Sequence, residues 1–195
     1  GLERLLMANK GVWIALFSQT GSEIRELSKQ LGVAPTLVMT NNLRKTWVTG
    51  LNIFKCDTHD NIMEWLRKSY PEAEYRKNIL ITLHGYLRIL PEDICKRYII
   101  FNGHPGAIET YPELKGKDPQ MRAWNDREKY SIIGSVVHEV VPEVDAGKIV
   151  SSVSYTNRVE SHQEMFSTLK QTSLEAWMWF LRNKLCELEL VERNQ

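Results

Sequence analysis

The sequence predicts a single-domain α/β fold: a mostly parallel, twisted sheet of about seven strands, helices on both faces, and an antiparallel pair of strands near the C-terminus. Three observations predict it. Apolar runs of strand length alternate with segments of helical periodicity through the first half of the chain. Two β-rich segments in the second half are joined by a connection too short for a helical crossover. No internal repeat, low-complexity tract or linker divides the 195 residues, a length that fits one core.

Taken in order, Val12 to Phe17 is a continuous apolar run of buried-strand length, followed by the turn-like Ser18-Gln19-Thr20-Gly21-Ser22. Ile24, Leu27 and Leu31 then recur at helical spacing, and Gly32 closes that helix. Thr36 to Met39 reads as a second strand and Leu51 to Phe54 as a short third. Asp60 to Ser69 is a helix with Ile62, Met63, Trp65 and Leu66 inward, and Ile79 to Leu83 is the next buried strand. Pro91 to Lys96 opens a short helix with proline at its first position. Tyr98 to Phe101 is again a strand. This alternation implies right-handed crossovers and a parallel sheet covered on both faces. Beyond it, Ile132 to Val140 and Lys148 to Tyr155 form the antiparallel pair, and a long helix over about Ser161 to Leu185 ends the chain. The whole of 1–195 reads as one domain, with Gly1 to Lys10 either a native extension or a cloning remnant.

Composition excludes several classes. Lys+Arg 25 against Asp+Glu 24 gives no electrostatic reason to expect nucleic acid or an anionic membrane as partner. The three cysteines lack any metal-ligand or disulfide spacing, so neither a zinc site nor a disulfide framework is expected, and a reducing, cytoplasmic compartment fits. No signal peptide or membrane-spanning apolar run is visible.

Ligands of open parallel sheets bind beyond the carboxyl ends of the strands. Three such ends stand out: Ser18 to Ser22, His84 to Arg88, and Asn102-Gly103-His104-Pro105-Gly106. The third sets a carboxamide and an imidazole two residues apart in a glycine-framed turn. A carboxamide NH2 can donate to a developing oxyanion, and an imidazole moves protons near neutral pH. Either alone is equally at home as a turn residue.

The surrounding words add weight. His84-Gly85-Tyr86-Leu87-Arg88-Ile89-Leu90-Pro91, then Asn102-Gly103-His104-Pro105 with Tyr111-Pro112 downstream, follow one another in order. Gly134-Ser135-Val136-Val137-His138-Glu139-Val140 and Val144-Asp145-Ala146-Gly147-Lys148-Ile149 continue the series. In this order and spacing the sequence resembles the folate-dependent formyltransferases, above all the stand-alone members acting on phosphoribosylglycinamide. The resemblance runs from Val12 to Leu185 and is strongest from Ile79 to Val150.

It implies the formyltransferase fold and 10-formyltetrahydrofolate as co-substrate without a metal. It implies transfer to a primary amine, phosphoribosylglycinamide or a related nucleotide-like amine, within one-carbon metabolism and purine biosynthesis. Asn102, His104 and Asp145 would form the catalytic trio, with Ser135 supporting the aspartate. Leu87, Arg88, Ile89, Leu90 and Ile94 would line the folate slot, and Val141, Pro142 and Glu143 would close it. His138 reads as a packed strand residue. A monomer or homodimer is expected. A deformylase using water as acceptor, or a non-catalytic folate-binding protein, is the alternative on the same fold; larger relatives with an added domain exceed this length.

The acceptor side departs from the family. Its members carry Gly-Ser-Asn after the first strand, where backbone N–H groups at a helix N-terminus grip a phosphate. Here Thr20, Gly21 and Ser22 keep that turn, but Glu23 follows. Either its carboxylate points into the site and repels phosphate, or Thr20-x-x-Glu23 forms a capping box and turns away. The Asn-Gly-His form and the Glu109 to Lys117 stretch also depart from common members, and Lys170 to Glu175 aligns loosely.

Overall fold

The structure, a computed structural model, describes residues 11–44, 50–69, 73–143 and 147–191. A seven-stranded sheet runs through it in the order β3-β2-β1-β4-β5-β6-β7. Its strands are β1 (Val12–Phe17), β2 (Leu37–Thr40), β3 (Lys55–Cys56), β4 (Ile79–His84), β5 (Ile99–His104), β6 (Ile132–Glu139) and β7 (Ile149–Thr156). The first five are parallel; β6 runs antiparallel to β5, and β7 antiparallel to β6. The predicted fold class is therefore the observed one.

Alternation along the strands divides the core between the two faces. Val12, Ile14 and Leu16 of β1 pack with Ile62, Met63 and Leu66 of α2 (His59–Ser69) and with Ile94 of α3 (Glu92–Arg97). Trp13 and Leu80, on the opposite face, pack with Leu27 of α1 (Ser22–Leu31) and with Trp177, Leu181 and Leu185 of α5 (His162–Glu187). Successive side chains of a strand point to opposite faces, so an uninterrupted apolar run is what a strand covered on both sides needs. A fully buried leucine contributes about 1.5–3 kcal/mol, which makes the long α5 the main cover of its face. A further cluster joins α4 (Pro119–Asn125) and the start of α5 to β6 through Ala123, Met165, Leu169, Ile133 and Val136.

Two expectations need correction. The third strand lies at Lys55–Cys56, not Leu51 to Phe54, because Leu51 and Ile53 pack sideways on the Phe17 and Ile24 cluster. The Phe54 amide donates to the Val38 carbonyl of β2 at 2.8 Å, and the register partners that follow are Met39↔Lys55 and Thr40↔Cys56. Pro91 is the cap residue before α3 rather than its first helical position, with extended φ −60° and ψ 149°. The other elements fall within a few residues of their expected bounds.

Ser161 caps α5: its hydroxyl accepts from the Glu164 amide at 3.1 Å, and the Glu164 carboxylate accepts from the Glu160 amide at 3.0 Å. Since α5 seals one face, its start matters to the whole domain. Ser161→Ala should lower stability by about 1 kcal/mol, a fall of roughly 2–4 °C in melting temperature for a domain of this size. A thermal melt followed by circular dichroism checks it.

Candidate active site

Strand order reverses between β1 and β4, so the carboxyl ends of those strands form the switch point. The loops there are stitched together: the Ser18 amide donates to the Gly85 carbonyl at 3.2 Å, and the Leu87 amide to the Ser18 hydroxyl at 2.8 Å. Leu83 and Asn102 are register partners on β4 and β5. Both line a cavity of about 150 Å³, whose walls include Tyr86, Leu90, Val140 and Val141. The next residue on each strand, His84 and Gly103, faces the other way and lines a second cavity of about 420 Å³ with Glu23, Gly85, Pro105 and Ser173. Two cavities thus flank the same pair of strand ends, one on each side of the sheet.

Arg88, Ile89, Leu90, Val141, Pro142 and Glu143 all line the smaller cavity together with Asn102. Leu87 and Ile94 do not: Leu87 is exposed, and Ile94 lies wholly in the core beneath α3. Tyr86 braces this loop from behind, its hydroxyl 2.6 Å from His59 Nδ1. Burial holds the Tyr86 phenol above its ordinary pKa. Burial, and then the nearby Arg88 guanidinium, hold the His59 imidazole below its own. Both shifts favour the neutral forms. The pair is therefore a hydrogen bond between neutral groups.

His138 stands directly across from Asn102 in the antiparallel register. Its Nδ1 lies 3.0 Å from the Glu139 carbonyl and so carries a hydrogen; Nε2 then accepts from the Asn102 carboxamide at 3.3 Å. A carboxamide has two N–H hydrogens, and this contact uses one. His138, expected as a packed strand residue, thus orients Asn102; the cross-strand register that brings them together has no local sequence signal.

His104 is buried, with Nε2 2.8 Å from the Leu114 carbonyl. A carbonyl only accepts, so Nε2 donates the hydrogen of that contact. Asp145, with Val144 and Ala146, lies outside the described residues. Ser135 does not serve the strand ends as expected: fully buried, its hydroxyl donates to the Leu169 carbonyl of α5 at 3.0 Å and meets Thr172 at 2.8 Å.

Across the sheet, the Thr20-x-x-Glu23 capping box does not form. Gly21 precedes α1 in the left-handed region (φ 68°) with no side-chain cap, while the Thr20 hydroxyl meets Ser22 instead. Glu23 turns inward. Its carboxylate accepts from His84 Nδ1 at 2.9 Å and from the Ser173 hydroxyl of α5 at 2.8 Å. His84 Nε2 lies 2.8 Å from the Thr82 hydroxyl, which accepts from the Trp13 indole N–H at 2.9 Å. The His84 ring also packs on Trp177, centroids 4.5 Å apart. Nothing local in the sequence signalled this chain of contacts.

Among the described residues no helix is long and apolar enough to cross a membrane, and no group of three or more His, Cys, Asp or Glu is placed to hold a metal ion.

No protein-family profile matches the chain. A phosphoribosylglycinamide formyltransferase of Dictyostelium discoideum is 32% identical over 114 residues, 52% of this chain and 54% of that protein, so the match spans about half of the curated relative's length. The solved phosphoribosylglycinamide formyltransferase of Campylobacter jejuni superposes with TM-score 0.70 at 21% identity, over 88% of this chain and 96% of that one. That of Anaplasma phagocytophilum gives 0.70 at 22%, over 95% and 92%. A formyltetrahydrofolate deformylase of Pseudomonas syringae gives 0.65 at 21%, over 92% and 62%. The chain has the fold of these enzymes, and the resemblance read from its motifs agrees with the proteins it is similar to.

Gly103 lines the larger cavity beside Asn102 of the smaller one, and a side chain there has no room. A Cβ on Gly103 would lie 2.5 Å from the Trp177 indole nitrogen, and Trp177 is fully buried. Gly103→Ala should therefore cost about 1–3 kcal/mol by overpacking. The cost should shrink in a Trp177→Phe background, where the five-membered ring is gone. Urea unfolding midpoints of the two single variants and the double variant measure this coupling.

Proposed function

We propose that this chain transfers a formyl group from 10-formyltetrahydrofolate to a primary amine, phosphoribosylglycinamide or a related nucleotide-like amine. The observation that carries the reading is the placement of Asn102, whose carboxamide lines a slot on one face of the sheet while the next residue on the strand, Gly103, lines a cavity on the other. The likeness of the chain to phosphoribosylglycinamide formyltransferases supports it.

The residues of the smaller cavity fit one end of a folate. Tyr86, Ile89, Leu90 and Val141 give apolar walls for a flat ring, and Arg88 and Glu143 bring charge to its rim. At about 150 Å³ it is smaller than a whole-ligand pocket, so it takes one end of the molecule and leaves the rest along the surface. The co-substrate supplies a formyl carbon open to attack by an amine, with an oxyanion developing on its oxygen and a proton to be passed from amine to leaving nitrogen.

Asn102 donates its second amide hydrogen to that oxyanion, its carboxamide plane fixed by His138. His104, held through Nε2 by the Leu114 carbonyl, helps in its protonated form to stabilise the oxyanion. Asp145, assigned by motif alone, holds the charged form of His104 and sets its position. The strand ends contribute rigidity: groups held on β5 and β6 do not reorganise when charge appears. The reaction belongs to one-carbon metabolism leading to purines, in a cytoplasmic monomer or homodimer.

Asn102→Ala should lower turnover on the order of a hundred- to a thousand-fold while folate binding and the unfolding midpoint stay near native values. Formylated amine is read by mass gain, and folate binding by quenching of tryptophan fluorescence. Near-native turnover would contradict the role of Asn102. Folate consumed equally with and without amine would move the acceptor to water.

A further inference from the structure

Glu23 occupies the position where a phosphate would otherwise meet the N-terminus of α1. That helix has 10 residues, and Thr20, Gly21 and Ser22 at its start edge the 420 Å³ cavity. A bare helix N-terminus of this kind favours an anion. Here the chain supplies its own: the Glu23 carboxylate sits in the first turn and faces the same space.

The carboxylate cannot be swung aside without loss. One oxygen takes His84 Nδ1 and the other takes the Ser173 hydroxyl. The His84 side chain is only 1% exposed, so moving Glu23 would strand a buried ring nitrogen. The ring itself cannot follow, since Nε2 is tied to Thr82 and one face lies on Trp177. The site is thus built, with each member held by a different element: α1, β4 and α5. At 21% exposure the Glu23 side chain still shows an edge to the cavity, and carboxylate oxygens accept more than one hydrogen bond each. Gln19, Gln120 and Ser167 add neutral polar groups to the walls, and Lys170 is the cation among the described lining residues, on the exposed side of α5.

Resting on the formyl-transfer reading, we propose that Glu23 determines acceptor specificity: this cavity takes a hydroxyl-bearing amine of sugar or ribosyl type that carries no phosphate at the α1 turn. The acceptor's hydroxyls donate to the outward edge of the Glu23 carboxylate, and a phosphate dianion there meets like charge at short range. Gly85, with open space where a side chain would be, leaves the amine a path toward the strand ends.

The test compares phosphoribosylglycinamide with its dephosphorylated counterpart, glycinamide ribonucleoside, on the full native chain and on Glu23→Gln. Two readouts are used: kcat/KM with 10-formyltetrahydrofolate, and calorimetric binding without it. The native protein should favour the ribonucleoside at least tenfold in both. Glu23→Gln should narrow or reverse that preference by weakening the ribonucleoside and strengthening the phosphorylated form. Tenfold preference of the native protein for the phosphorylated form, or an unchanged ratio in a folded Glu23→Gln, overturns the proposal. If neither compound is formylated, the transfer reading fails, while the binding ratio still decides the role of Glu23. The native comparison stands even if the variant does not fold.

Discussion

The close approach of α5 to β5 at Gly103 is the constraint on which the site depends. The indole of Trp177 fills the space where a side chain on residue 103 would be. That contact seats the longest helix on the sheet and leaves the strand end open on one side. On the other side, the same strand presents Asn102. Period-two alternation does the rest: Leu83 and Asn102 belong to one cavity, His84 and Gly103 to the other. Two cavities on opposite sides of one pair of strand ends suit the proposed two-substrate reaction, because what lies in each would meet at that edge.

Polar groups at this edge are held by long-range pairs. Asn102 is oriented by His138 from β6, and Glu23 by His84 from β4 and Ser173 from α5. The Trp13–Thr82–His84–Glu23 chain carries hydrogen bonds from the middle of the sheet to the cavity. Buried polar networks of this sort fix side-chain positions when every member is satisfied, and are costly when one is removed. They place rigid groups on both sides of the strand ends.

Much of the fold was legible because its signal is local. The apolar runs of β1 and β4 required cover on both faces, and the short link between β6 and β7 required antiparallel pairing. The third strand was misplaced because Lys55 and Cys56 form a polar edge strand, while the apolar residues before them pack outside the ladder. At the site, motif words pointed to Asn102 and to Arg88, Ile89 and Leu90, which line one cavity, and also to Leu87 and Ile94, which do not. His138 was read as packing because cross-strand register is not written in either strand alone. The inward turn of Glu23 was one of two readings that local sequence left open; its partners lie 61 and 150 residues away. Ser135 was misread for the same reason, its hydroxyl being drawn to α5 by packing.

The most direct measurement is a crystal structure of the protein with a non-reactive 10-formyltetrahydrofolate analogue. We expect the ring end among Tyr86, Leu90 and Val141, and the formyl oxygen about 3 Å from the Asn102 amide nitrogen. A folate bound on the Glu23 side of the sheet, or a formyl group out of reach of Asn102, would contradict the division of the two cavities between donor and acceptor.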